Sequence, residues 1–209
     1  MATAKICGLS TTETLDAALS GGASHVGFVL FPPSPRHLAL DELRALAARV
    51  PATVGRVGVL VDPEDDLVTM VAPHVDALQL HRTTAERVAA IRGRSGRETW
   101  AAVAIKTRAD LDQAKAYRGA ADVILYDAKT PDTAALPGGM GLRFDWALLD
   151  GFRHPLPWVL SGGLDAANVA DAIGRTGARL VDVSSGVESA PGVKDVDKIA
   201  AFLQAVGSR

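Results

Sequence analysis

The sequence lacks most of what would place a protein outside a reducing compartment. Its 209 residues include one cysteine, Cys7, so no internal disulfide can form, and the cross-linked scaffold of a small secreted protein is excluded. No stretch approaches the roughly 20 apolar residues of a membrane span. The first residues, Met-Ala-Thr-Ala-Lys-Ile-Cys-Gly, lack the apolar run of roughly 7–15 residues found in a secretory leader. Positive charge is not in surplus: 22 Lys+Arg stand against 24 Asp+Glu, a net charge of −2, and no basic cluster could track a phosphate backbone. Nucleic acid and membrane are therefore not expected partners. Histidines, cysteine and carboxylates nowhere fall at paired metal-ligand spacing, and no G-x-x-x-x-G-K-[ST] loop marks a nucleoside triphosphate site. The expectation is a cytoplasmic protein without a metal. No apolar surplus calls for a second subunit, so the expected state is a monomer.

What is present is ordinary globular composition, with 48% apolar and 22% charged residues, enough for a sizeable core. Short aliphatic runs recur: Lys5-Ile6-Cys7, His25 to Phe31, Thr53 to Val61, Val75 to Leu80, Thr99 to Ile105, Asp122 to Tyr126, Trp158 to Ser161 and Leu180 to Ser184. Most are continuously apolar, as strands covered on both faces of a parallel sheet are. Between them lie helical spacings such as Leu15/Ala18/Leu19, Val88/Ile91 and Ile199/Phe202/Leu203/Val206. Helix starts are expected near Ser10, Asp41, Asp62, Thr83, Thr107, Asp145 and Asp165. Successive starts lie a little over 20 residues apart, and the surplus falls in the loops after strands 2, 6 and 8. Eight strand–helix units predict a single α/β domain over 1–209, a (β/α)8 barrel with its site on the C-terminal face. An open doubly wound sheet is the competing architecture.

Several residues stand where chemistry is expected. Cys7 ends the first strand; it is either a buried small hydrophobe or, at a barrel mouth, a base or nucleophile. Asp127 follows an apolar strand with no helix start close behind. It reads as a turn aspartate or as a partly desolvated acid. Arg36 lies in Phe31-Pro32-Pro33-Ser34-Pro35-Arg36, where the prolines stiffen the chain, and a rigidly held guanidinium suits capture of a carboxylate. Gly162-Gly163 and Ser185-Gly186 follow strands 7 and 8, the usual barrel site for a phosphate, and Gly138-Gly139-Met140-Gly141 forms a third cluster. His81 is a pocket proton carrier or, the favoured reading, a histidine bonded to backbone. Trp100, Trp146 and Trp158 read as core or rim packing.

These residues together carry a resemblance. Lys5-Ile6-Cys7-Gly8, Gly27-Phe28 with Ser34-Pro35-Arg36, Val75 to His81, Gly138-Gly139-x-Gly141-x-x-Phe144-Asp145-Trp146, Leu160-Ser161-Gly162-Gly163-Leu164 with Asn168-Val169, and Val181 to Glu188 resemble phosphoribosylanthranilate isomerase of tryptophan biosynthesis. The matches run in order from residue 5 to the last helix. The resemblance implies a single (β/α)8 barrel with neither metal nor organic cofactor. It implies an Amadori rearrangement of N-(5-phosphoribosyl)anthranilate to 1-(o-carboxyphenylamino)-1-deoxyribulose 5-phosphate. Asp127 would be the general acid at the ring oxygen and Cys7 the base at C2′, a moderately basic thiolate near neutral pH sufficing. Arg36 would meet the anthranilate carboxylate, while Gly162, Gly163, Ser185 and Gly186 would hold the phosphate. His81 and Gly141 complete the expected substrate contacts.

Three positions depart from that pattern. Met140 stands where a hydroxyl residue is frequent, and Arg82 where glycine is. Lys129 places a cation close to Asp127, and an inward Lys129 would weaken the acid assignment. Another sugar-phosphate isomerase, or a barrel that binds a phosphorylated ligand without turning it over, are the alternatives.

Overall fold

The structure, a computed structural model, describes residues 1–130 and 138–207. Eight parallel strands close a barrel in chain order: β1 (Thr3–Cys7), β2 (His25–Val29), β3 (Gly55–Val61), β4 (Ala77–His81), β5 (Glu98–Ile105), β6 (Val123–Ala128), β7 (Trp158–Leu160) and β8 (Leu180–Val183). The barrel is sealed where Lys5 of β1 stands beside Asp182 of β8. Around it lie α1 (Thr12–Ser20), α2 (Leu40–Ala47), α3 (Asp65–Val71), α4 (Ala85–Ser95), α5 (Arg108–Asp112), α6 (Val169–Thr176) and α7 (Val196–Gly207). No helix among the described residues is long and apolar enough to cross a membrane. The closed parallel barrel is the expected architecture, and the open sheet is excluded.

Alternation along each strand sorts the side chains into two sets. Ile6, Phe28, Leu60, Leu80, Val103, Tyr126, Leu160 and Val183 join the large outer core between strands and helices. The alternate positions fill the lumen. Val57, Ala77, Trp100, Val123, Leu125 and Val159 form a separate apolar cluster there. One or two inward positions further along, the chain turns polar at Lys5, Gln79, Asp127, Ser161 and Asp182, all buried.

Helix starts depart from expectation in detail. Thr107 caps α5 as expected, with Asp110 Oδ2 accepting from the Thr107 amide at 2.7 Å. The caps of α1 and α4 are Thr11 and Thr84, each one residue beyond the expected position. For α2 the side chain of Glu42 accepts from the Ala39 amide at 2.7 Å, and Asp41 lies inside the first turn. Asp62 does not open a helix: it sits at φ 40 and α3 begins after Glu64. Asp165 accepts from the amides of Ala167 and Asn168 in the turn that leads into α6. Asp145 caps only a 3-10 turn, Trp146–Leu149, because Gly151, at φ 64, and the prolines beyond it end the segment.

The surplus residues lie after β2, β6 and β8. The last of these loops carries a small antiparallel ribbon, β9 (Glu188–Ala190) with β10 (Val193–Lys194). Ser34 and Arg36, Gly138 to Leu142, and Ser184 with Ser185 from these three loops line one pocket over the C-terminal end of the barrel.

Candidate active site

The pocket encloses about 770 Å³, counting the open solvent at its mouth. Cys7 stands in its wall, buried against Val29, Val59 and Phe31. Two residues back on the same strand face, Lys5 is wholly buried and its Nζ donates to Asp182 Oδ1 at 2.7 Å. Ser161 Oγ donates to the other carboxylate oxygen at 3.0 Å. Gly27 makes the arrangement possible, since a Cβ there would lie 3.0 Å from the Cys7 sulfur and 3.1 Å from Lys5 Cε. Burial pushes the Cys7 thiol up, against the pull of the Lys5 and Lys194 ammonium groups. Burial thus favours the thiol form of the sulfur.

Asp127 is the last residue but one of β6, paired with Ala104 of β5, at the strand end as expected. Its carboxyl is pressed between two glycines: a Cβ on Gly138 would collide with Oδ2, and one on Gly162 would lie 3.0 Å from Oδ1. Burial, reinforced by the negative Asp182, raises its pKa to about 7, although the Ala128 amide donates to Oδ1 at 2.8 Å. The carboxyl is thus held in a range where it can give up or take a proton near neutral pH. Lys129 is exposed and lines an adjoining cleft that also touches His81 and Asp127, while the main influences on the carboxyl are burial, Asp182, the Ala128 amide and Lys5.

His81 shares the pocket, and among the described residues its ring is held by Gln79. Its Nε2 lies 2.8 Å from Gln79 Nε2, one of the two acting as donor, and Gln79 Oε1 is left buried without a partner. Burial lowers the imidazole pKa to about 4, so His81 is neutral.

Arg36 is 5% exposed, and its role is more constrained than an isolated guanidinium would be. Nε and Nη2 donate to the two oxygens of Glu188 at 2.7 and 2.8 Å, and Nη2 also reaches the Gly139 carbonyl at 3.0 Å. Lys194 Nζ reaches the same carboxylate at 2.6 Å and the Ser184 carbonyl at 2.9 Å. Three loops are thus tied through one ion cluster at the pocket wall. At the other end Gly162 and Gly163, at φ 89 and 61, bring backbone beside Ser185, whose Oγ lies 3.7 Å from where a Gly141 Cβ would be. Gly186 sits just outside the lining, its α-carbon against the Leu164 carbonyl.

Comparison with known proteins agrees with this geometry. The family model described as N-(5′-phosphoribosyl)anthranilate isomerase matches residues 4–205. The chain belongs to this isomerase family. One relative, N-(5′-phosphoribosyl)anthranilate isomerase of Zymomonas mobilis subsp. pomaceae, is 55% identical over 205 residues, 97% of this chain and 96% of its own. Among solved structures, monomers of the dimeric phosphoribosylanthranilate isomerase from Thermotoga maritima match at 35% identity with a TM-score of 0.85, over 100% of both chains. A phosphoribosylanthranilate isomerase in complex with reduced 1-(o-carboxyphenylamino)-1-deoxyribulose 5-phosphate matches at 34% and 0.84, again over 100% of both.

Two of the three departures from the family pattern lie at the rim. Met140 is 49% exposed beside the pocket mouth. Arg82 takes the left-handed φ of 53 that glycine adopts at no steric cost. Four residues of the site were missed from sequence. Lys5, Asp182 and Glu188 occur inside the motif segments, yet only burial distinguishes them from solvated charges. Lys194, in the ribbon, had no signal.

Proposed function

We propose that this chain isomerises N-(5′-phosphoribosyl)anthranilate to 1-(o-carboxyphenylamino)-1-deoxyribulose 5-phosphate in tryptophan biosynthesis. The observation that carries the reading is a carboxyl poised near pH 7 and the chain's single thiol on the wall of one pocket. Asp127 donates its proton to the furanose oxygen, the C1′–O bond breaks, and the anthranilate nitrogen becomes a cationic Schiff base. Cys7, as thiolate, removes the C2′ proton, which the iminium has acidified; the C2′–H pair becomes the C1′=C2′ π bond and the C1′=N π pair returns to nitrogen, giving the neutral enolamine. Tautomerisation yields the ketose. The iminium also opposes the burial penalty on the sulfur, supplying in the complex part of the charge that the empty pocket lacks.

Binding is divided between the two ends of the pocket. Arg36, locked by Glu188, is the cation for the anthranilate carboxylate. Gly141, Gly162, Gly163, Ser185 and Gly186 hold the 5′-phosphate, and His81, neutral and fixed by Gln79, faces the sugar. Anchoring remote from the reacting carbon places C2′ between acid and base. The reading includes one domain over residues 1–209, a monomer, and a cytoplasmic location.

The reactive enzyme carries a proton on Asp127 and none on Cys7. Because the carboxyl titrates below the thiol, this is the minor of the two singly protonated forms. kcat/KM therefore rises through about pH 7 and falls only above the ordinary thiol range. The decay of phosphoribosylanthranilate fluorescence measures turnover. Cys7→Ala and Asp127→Ala should each lower kcat by about 10²–10⁴-fold with little change in binding. Arg36→Ala should mainly weaken binding. Binding without turnover by the parent protein would leave only the non-catalytic phospholigand reading, and full activity in either catalytic variant would remove that residue from the mechanism.

A further inference from the structure

Among the described residues Lys5 is the one cation with no solvent exposure, and the mechanism above gives it no task. A buried lysine paired with an aspartate normally stabilises no better than well-packed apolar residues of the same volume. Its position is the informative part. Lys5 and Cys7 occupy successive inward positions of β1, and both border the space a Cβ on Gly27 would take, the Cys7 sulfur 3.0 Å and Lys5 Cε 3.1 Å from that point. Asp182 holds the ammonium from the far side at 2.7 Å, and Ser161 orients Asp182 at 3.0 Å. The ammonium is thereby held against the wall of the pocket that carries the sulfur, where it cannot swing to solvent.

We propose that Lys5 is the positioning residue for the base, its fixed ammonium stabilising the negative sulfur of Cys7 while Asp182 and Ser161 hold it in place. This rests on Cys7 being the base in the reaction proposed above. The other charges near the sulfur do not substitute. Asp182 opposes ionisation. Lys194 also favours a negative sulfur but acts on it less than Lys5, and Glu188 already pairs with it at 2.6 Å while Arg36 shares the same carboxylate. Val29, Val59 and Phe31, which cluster with Cys7, are apolar. Lys5 keeps its own proton: burial works against the charge, but Asp182 and the nearby sulfur outweigh it and raise its pKa.

Cys7 is the only cysteine, so its ionisation can be read directly from the pH dependence of iodoacetamide alkylation of the ligand-free protein. In Lys5→Met the alkylation midpoint should move up by about one pH unit or more, with kcat falling about tenfold or more and KM changing less than about threefold. If that variant does not fold because Asp182 is left unpaired, Lys5→Met combined with Asp182→Asn removes both charges. The midpoint should again rise, by less, since the cation acts on the sulfur more strongly than the carboxylate does. An unchanged or lowered midpoint in a folded variant overturns the proposal, even if kcat falls. Should the parent protein prove inactive on phosphoribosylanthranilate, the proposed reaction fails, while the alkylation midpoints still decide the role of Lys5.

Discussion

The two halves of the barrel lumen are built by the same strands and do opposite things. Toward the N-terminal ends of the strands the inward side chains are Val57, Ala77, Trp100, Val123 and Val159, packed without a charge. Two or four residues on, the same strands present Gln79 and His81, Asp127 and Ser161, with Lys5, Cys7 and Asp182 closing the ring. The period of 2 along a strand makes the division cheap: a residue need move only one inward position to pass from packing to chemistry. The lower half supplies apolar burial, which stabilises. The upper half holds polar groups out of water, which costs free energy unless they are paired. That cost is what raises Asp127 to about 7.

Mutation should separate the halves, beginning with the largest effect. Trp100 fills the lower lumen, with its ring 5.4 Å from that of His25 and its Nε1 donating to Glu98 at 3.1 Å. Trp100→Ala should cost about 3–5 kcal/mol in urea unfolding, while the folded fraction keeps its turnover. Asp127→Asn should do the reverse, abolishing most turnover and raising stability. The sign follows from linkage. A carboxyl titrating at about 7 folded and 3.8 unfolded binds more protons folded, so its contribution is complete below pH 3.8 and is lost as pH rises through 7. The asparagine variant should therefore gain on the order of 2–4 kcal/mol over the parent at pH 8 and nothing near pH 3.5. Glu188→Gln acts on binding geometry instead. It leaves Arg36 and Lys194 facing each other without their shared counter-charge, and KM should rise about tenfold with kcat nearly unchanged, read in steady-state assays.

Much of this division was legible before any coordinates. Continuous apolar runs alternating with helical spacing identify a parallel barrel, because only strands covered on both faces read that way. Overlong loops after strands 2, 6 and 8 point to the site, since the elements they join are of normal length. Cys7, Asp127 and Arg36 stand at strand ends or in those loops, where position adds meaning to residue type. The buried ion pairs were not legible. Lys5 and Asp182 are 177 residues apart and Arg36 and Glu188 are 152 apart, and their pairing depends on barrel closure and on the return of the last ribbon. Helix starts slipped by a residue or two wherever neighbouring threonines or carboxylates offered equivalent caps. The Asp145 segment failed as a helix for a different reason: six residues before Gly151 are too few to repay nucleation.

The smallest expected effect tests the comparison at the protein surface. Arg56 at the start of β3 and Asp76 before β4 form an ion pair as short as the one inside the barrel, Nη2 to Oδ1 at 2.7 Å and Nε to Oδ2 at 2.9 Å. The Arg56 amide adds a third bond at 2.9 Å. These bonds hold the Asp76 carboxyl below its usual range. Yet the side chains are 32% and 44% exposed, so water screens the attraction and already solvates both groups in the unfolded chain. Arg56→Ala should cost only about 0.2–1 kcal/mol, and most of that loss should vanish in 1 M salt, where the screening length falls to about 3 Å. Breaking the buried Lys5–Asp182 pair at one end should cost about 3–5 kcal/mol and respond little to salt, because its penalty is the charge left stranded in the lumen. Equal salt sensitivity in urea unfolding of the two variants would mean that the upper lumen is wet, and the low-dielectric origin of the Asp127 shift would fall with it.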